Sequence, residues 1–347
     1  MPSIILEFFC RGNAIFDVLL NKNIKILLNY VVGPLIMLFL FYTVARQLQK
    51  QPHWKDSLHQ IWMATTGKQQ WKLYCMFGLM GVNWGLEAFK WKIALRAVQP
   101  IGFFRAFKAI LAGTCIASFT PNRVGEYMGR MLFVEPGNKV TSIAPTILCS
   151  MSQMLVTLIV GTFGLYRYAS LLLTSGAGIP VLSTAYFRPV IILISGITII
   201  LGLVYFRFDP MVRVVNQWLE KKHKKITLPN DYRFATMATI LGISAIRYGV
   251  FIIQYFLLFS LFGIPLTGMQ VFTGVSVMFV LMAMVPTLTF LTDIGFRGMA
   301  GIYIFMVFTT DTAGILAVSL GIWLINLIIP ALIGSLLILR IKLFNSR

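Results

Sequence analysis

Five runs of this chain, residues 26–45, 140–166, 189–206, 248–292 and 312–339, contain no Asp, Glu, Lys or Arg. Each is long enough, or nearly so, to cross a hydrocarbon core, which takes about 20 apolar residues as a helix. Lipid offers the backbone no hydrogen bonds, so a crossing segment must be a helix or part of a closed barrel. The runs are continuously apolar and do not alternate, which selects helices. The chain is therefore expected to be an all-α polytopic membrane protein. Its 58% hydrophobic and 12% charged content agrees with that. The net charge of +19 comes from 30 basic and 11 acidic residues. In a soluble protein such an excess would point to nucleic acid. Here the basic residues collect in loops and near span ends, so the expected partners are the membrane and its anionic headgroups, with no nucleic acid.

Against that background, Thr120-Pro121-Asn122-Arg123-Val124-Gly125-Glu126-Tyr127-Met128-Gly129-Arg130 stands out. It sets three charges, one Pro and two Gly between apolar segments. A charge at membrane depth costs about 2.5 kcal/mol or more and persists mainly where it faces protein or a wet cavity. Thr120 can cap a helix and Pro121 suits its first position. Arg123, Glu126 and Arg130 then fall three and four apart, on one helical face. Two readings are open. The Arg forks can grip a lipid phosphate near a helix N-terminus, or the three charges can form a buried ion pair that locks the fold.

The flanking pieces, 103–119 and 124–134, are each short for a crossing, which suggests a re-entrant hairpin. A similar pattern recurs at 271–291 and 296–308, with Pro286, Asp293, Gly295 and Arg297 at the break. Residues 73–166 and 234–339 both read long helix, broken pair, long helix, the pattern of an inverted repeat. The expected organisation is a lead at 1–25, one transmembrane domain at 26–340 and a tail at 341–347. It holds about six full spans, two re-entrant hairpins and a basic loop at 207–233. That loop carries seven Lys/Arg and 90–108 carries five, so both termini are expected in the cytoplasm, across a cell (inner) membrane. Residues 46–72 also carry five Lys/Arg yet fall outside on this topology. With Trp54, Trp62 and Trp71 they suit an interfacial segment.

Further candidates lie in the long helices. Asn83, Glu87 and Lys90 share a face of the second helix; Glu87 can line a cavity, while Lys90, Lys92 and Arg96 can simply snorkel. Arg247 and Gln254 lie two turns apart, and an Arg so deep needs a carboxylate or a lipid phosphate. Asp293 and Arg297 are an i,i+4 pair that can satisfy itself or join a site shared with the first break. No catalytic motif of the GxSxG, HExxH, Walker or GxGxxG type is present. Cys10, Cys75, Cys115 and Cys149 are far apart, and His53 and His59 are not at ligand spacing, so neither a metal nor a cofactor is expected. Glu7, Arg11 and Asp17 argue against a cleavable signal peptide.

The Pro-x-Arg-x-Gly-Glu-x-x-x-Arg pattern from Pro121 to Arg130 resembles the signature of the lysylphosphatidylglycerol synthase transmembrane-region family, also called flippase-like membrane proteins. Trp91-Lys92, Arg247 with Gln254-Tyr255, and Ile294-Gly295-Phe296-Arg297 are similar to that family as well. The resemblance covers about residues 20–340. It implies inverted broken-helix repeats and, in the aminoacyl-phosphatidylglycerol synthases, movement of the modified lipid across the bilayer. Aminoacyl transfer there belongs to a separate soluble domain, which is not expected in a chain that stops at Arg347. Many relatives carry Glu after the second Gly-x-Arg; this chain has Gly298, leaving Asp293 as the available carboxylate.

The expected function is translocation of an anionic phospholipid or lipid-linked glycan. Arg123, Arg130, Arg247 and Arg297 would serve as ligands for a headgroup or polyprenyl phosphate, oriented by Glu126. The alternatives are a membrane enzyme or accessory subunit acting on polyprenyl-linked sugars, and a non-transporting scaffold. A homo-oligomer is left open.

Overall fold

The computed structural model describes residues 70–175, 187–221, 229, 232–284 and 290–340, apart from residue 119 and residues 121–122. The expected first span at 26–45, the 1–25 lead, the 341–347 tail and nearly all of the 46–72 segment lie outside the described residues. Among the described residues the fold is all helical. The helices are α1 (Gln70–Leu95), α2 (Phe103–Ala117), α3 (Gly125–Met131), α4 (Ile143–Ser175), α5 (Phe187–Phe206) and α6 (Phe208–Lys221). They continue as α7 (Phe234–Leu261), α8 (Gly268–Met284), α9 (Phe290–Phe305), α10 (Thr312–Trp323) and α11 (Ile329–Arg340). A π-turn, Leu324–Ile328, joins the last two.

Among the described residues, four segments are long and apolar enough to cross a membrane: Ile143–Leu173, Phe187–Phe206, Phe234–Leu261 and Thr312–Ile338. Three of them overlap the charge-free runs at 140–166, 189–206 and 312–339, while the run at 248–292 is divided between α7 and α8. Helix α1 has the length to cross but carries Glu87, Lys90 and Lys92. Helix α5 faces outward almost throughout, with Ile192, Leu193, Ile199 and Leu203 exposed, as a lipid-contacting helix must be.

Helices α1, α4 and α7 are the frame, each packing on the other two. They run through two separate apolar cores. One gathers the Trp84–Leu95 part of α1 with α2 and the early turns of α4 and α7. The other gathers the later parts of α4 and α7 with α8, α9 and α10. The polar cluster described below sits where these cores meet. Arg247 is 13 residues into α7, about 20 Å along its axis at 1.5 Å per residue.

The first broken pair is a tight hairpin of α2 on α3, made possible by glycine. A Cβ added at Gly129 would lie 2.5 Å from the Gly113 Cα, and one at Gly125 would lie 2.5 Å from the Ile116 carbonyl oxygen. Gly125 and Gly129 therefore form a small-xxx-small surface that lets two backbones touch. The opposite side of α2 receives α11 through Gly334, against the backbone of Leu111.

Four expectations need correction. Helix α3 does not start at Thr120-Pro121; it begins at Gly125, whose N–H donates to Thr120 Oγ1 at 2.7 Å. Thr120 thus caps from five residues away, and Arg123 lies ahead of the helix. In the second pair Asp293, Gly295 and Arg297, expected at the break, lie inside α9. Asp293 and Arg297 remain one turn apart there. The 207–233 segment is not simply a loop: it carries α6, whose Asp209 carboxylate accepts the Tyr232 N–H at 3.0 Å. Lys90 does not snorkel; only 1% of its surface is exposed.

The π-turn has a local cause. Pro330 lacks the N–H that the Asn326 carbonyl would receive, and its ring crowds that carbonyl. Widening the turn relieves the clash, with Ile329 N–H donating five residues back to Leu324 O.

Candidate functional site

Glu87 is the hub of the polar cluster. Its Oε2 receives Lys90 Nζ at 2.7 Å and Arg247 Nη1 at 2.8 Å, and its Oε1 receives Arg130 Nη2 at 3.0 Å. Lys90 and Glu87 meet because they are three apart on α1. Arg130 arrives from the α3 end of the glycine hairpin, and Arg247 from the middle of α7. One carboxylate therefore ties α1 to the first hairpin and to the second half of the chain.

Around this hub the donors are used systematically. Lys90 Nζ also donates to Ser244 Oγ and to the Cys149 carbonyl, each at 3.3 Å, and Ser244 Oγ lies 2.8 Å from Ser152 Oγ. Arg130 Nη2 additionally donates to Glu126 Oε1, and its guanidinium lies 5.8 Å from the Trp91 ring centre. Trp91 is itself fixed by its indole N–H, which donates to Thr146 Oγ1 at 3.0 Å. Arg247 Nε donates to Asn83 Oδ1 at 2.6 Å, and Nη1 also reaches Gln153 Oε1 at 3.3 Å. The Arg247 guanidinium is held between Trp84 and Phe251, 5.6 Å from each ring centre.

Two layers result. Glu87, Lys90 and Arg130 are dry, with exposures of 5%, 1% and 1%. Beside them opens a cavity of about 340 Å³. Ser118, Thr120 and Arg123 reach it from the first broken pair, and Met282, Ala283 and Arg297 from the second. Arg247 walls it between them, with Trp84, Tyr248, Phe251 and Phe279 as an aromatic lining. No Asp or Glu is among its described lining residues. The cluster is cationic: Lys90, Arg123, Arg130 and Arg247 face Glu87 and Glu126, four positive charges against two negative.

The sequence candidates therefore separate. Arg123, Arg247 and Arg297 line the cavity. Glu126 pairs with Arg130 and, more loosely at 3.7 Å, with Arg123. Glu87, Lys90 and Arg130 form the inner layer. Arg297 Nη1 donates to Tyr255 Oη at 3.4 Å, tying α9 to α7. Gln254 is not brought to the cluster: it is wholly buried and its Nε2 donates to the Met76 carbonyl at 3.4 Å, holding α7 to α1 elsewhere. The side chain of Asp293 lies outside the described residues. Trp84, Gln153 and Asn326 were not singled out from sequence. The signal for Asn326 was available, as a lone amide four residues before Pro330 within a charge-free run.

Arg123 has φ +58°, the left-handed region that a residue with a Cβ avoids. Such strain costs on the order of 1 kcal/mol or more and marks positions held for a purpose. The surroundings hold it: Arg123 N–H donates to Thr120 O at 3.2 Å while Thr120 Oγ1 caps Gly125. Arg123→Gly should leave thermal stability within about 1 kcal/mol of wild type, because Gly accepts positive φ freely. Arg123→Val should lose about 1–2 kcal/mol more, since a β-branched residue tolerates this φ least. Thermal unfolding of the detergent-purified pair checks this; equal midpoints would mean that the backbone strain is not held in solution.

A family model described as the lysylphosphatidylglycerol synthase TM region matches residues 26–334. No curated protein and no solved structure matches the chain.

Proposed function

The chain belongs to the lysylphosphatidylglycerol synthase TM-region family, and from that premise we propose that it translocates an anionic phospholipid or lipid-linked glycan between leaflets. The family makes it a membrane protein related to lipid modification or transport. The observation that carries the finer reading is the shared cavity, where Arg123 from one broken pair and Arg297 from the other flank Arg247. Half-helices converging on one polar point are how transporters build substrate sites.

In this mechanism the headgroup phosphate binds Arg247 and Arg123, with Arg297 engaging from the other side. Arg forks suit phosphate because they bond two oxygens at once. The aromatic lining accepts the glycerol or first acyl carbons. Glu87, Lys90 and Arg130 do not touch the lipid; they hold Arg247 and the hairpin in register. The scaffold reading thus accounts for the inner layer and the transport reading for the cavity. The hairpins expose the site alternately, and the strained Arg123 link is where the first one moves. The re-entrant geometry, the inverted repeat and cytoplasmic termini belong to the same proposal.

The test is translocation of fluorescent-tailed phosphatidylglycerol in proteoliposomes, read by quenching of the outer leaflet. Arg247→Gln and Arg123→Gln should each slow it by roughly tenfold or more, the loss of a charge-assisted hydrogen bond of about 1.5–3 kcal/mol. Wild-type rates in both variants, once shown to be inserted and monodisperse, would overturn the proposal.

A further inference from the structure

We propose that the cavity selects headgroups presenting hydrogen-bond acceptors and net negative charge over those bearing an ammonium group, and that Asn326 and Trp84 are the neutral donors making this selection. The proposal rests on the lipid-phosphate reading above and deepens it. An arginine can only donate. Because Arg247 Nε donates to Asn83, the Asn83 oxygen must face Arg247 and its amide nitrogen must face away. That nitrogen donates to Asn326 Oδ1 at 3.3 Å, which leaves the Asn326 NH₂ as the end of the relay. Asn326 is 7% exposed, lines the cavity, and its Nδ2 has no partner. Trp84 repeats the situation independently: its indole can only donate, it is 5% exposed, it walls the same cavity, and its Nε1 has no partner.

Buried polar groups in native proteins are nearly always satisfied, so these two donors call for a partner. At membrane depth bulk water is not there to satisfy them. A ligand oxygen would. Asn326 lies in the π-turn before Pro330 and on this wall. Arg123, Arg247 and Arg297 set the sign, and no carboxylate among the described lining residues could receive an ammonium. An ethanolamine headgroup would have to bring its ammonium beside Arg123, Arg247 and Arg297, with no carboxylate among the described lining residues to receive it.

The discriminating experiment titrates the purified full chain, in detergent, with three probes: short-chain phosphatidylglycerol, a short polyprenyl phosphate, and phosphatidylethanolamine with the same acyl chains as the first. Wild type should bind one or both of the first two at least about tenfold tighter than the third, and which of the two binds identifies the source of the phosphate. Trp84→Phe keeps the ring under Arg247 and removes only the N–H; it and Asn326→Ala should each weaken the preferred probe by roughly fivefold with little change in thermal midpoint. Asn326→Asp supplies a carboxylate and should erase or reverse the preference. Equal binding of phosphatidylethanolamine by wild type, or an unchanged preference in Asn326→Asp together with unchanged affinity in Trp84→Phe, overturns this inference while leaving the lipid site intact. Failure of wild type to bind any of the three overturns the site itself.

Discussion

Glu87→Gln should destabilise the folded protein by about 3–5 kcal/mol, the usual cost of removing one partner from a buried ionic cluster. Gln keeps the shape and can accept hydrogen bonds, so the effect isolates the charge. Without it, Lys90 keeps Ser244 and the Cys149 carbonyl as partners, and Arg247 keeps Asn83 and Gln153, but neither keeps an anion among its partners described here. Arg130 retains Glu126 and the face of the Trp91 ring. The three cations were brought within 3.0 Å of one carboxylate, and their mutual repulsion then acts at membrane depth with little screening. Thermal unfolding in detergent, with the monodisperse fraction on gel filtration, measures the loss. The double variant Glu87→Gln with Arg247→Gln should recover part of it, because one uncompensated cation is gone. A single variant with the wild-type midpoint would show that the cluster is solvated and not the dry hub described here.

Gly129→Ala should produce the second large effect, a loss of about 3 kcal/mol, the upper end of ordinary overpacking. The added methyl would stand 2.5 Å from Gly113 Cα and 2.6 Å from Gly113 N, backbone atoms that cannot rotate away. Helix α3 must lift from α2, and Arg130, the next residue, is carried away from Glu87. Packing and electrostatics are thus damaged by one methyl group. Gly81→Ala is the matched control: it too is a glycine in a helix, but a Cβ there meets nothing within 4 Å. It should be neutral or gain about 0.5–1 kcal/mol from the better helix former. Equal behaviour of the two variants in thermal unfolding would rule out the close α2–α3 contact.

Much of the fold was legible because lipid imposes simple rules. The run at 189–206 became α5 almost residue for residue, since a charge-free run of that length has no other way to satisfy its backbone. The short apolar pieces around residues 120–124 became α2 and α3, because Pro and two Gly there punctuate the chain. The helix start was misplaced since Thr120 can cap from a distance, through a left-handed Arg123 that no local propensity announces. Asp293 and Arg297 were set at the second break, whereas an i,i+4 pair is equally at home inside α9, where they lie. A 14-residue amphipathic helix, α6, was hidden in a segment read only for its basic residues.

The site divides in the same way. Sequence by itself determined that costly charges sit at membrane depth near residues 87–90, 123–130, 247 and 297, and which of them share a helical face. It could do so because period and burial cost are local properties. Only the tertiary structure decided who pairs with whom. Glu87 meets Arg130 across 43 residues and Arg247 across 160, and Asn83 meets Asn326 across 243. Thirty basic residues compete for eleven acidic ones, so electrostatics alone leaves the matching open. Close backbone contact at Gly113 and Gly129, and the widened turn before Pro330, resolve it by fixing which side chains can reach the cluster. Arg130 is thereby enclosed in the dry layer, while Arg123, Arg247 and Arg297 are left on the cavity.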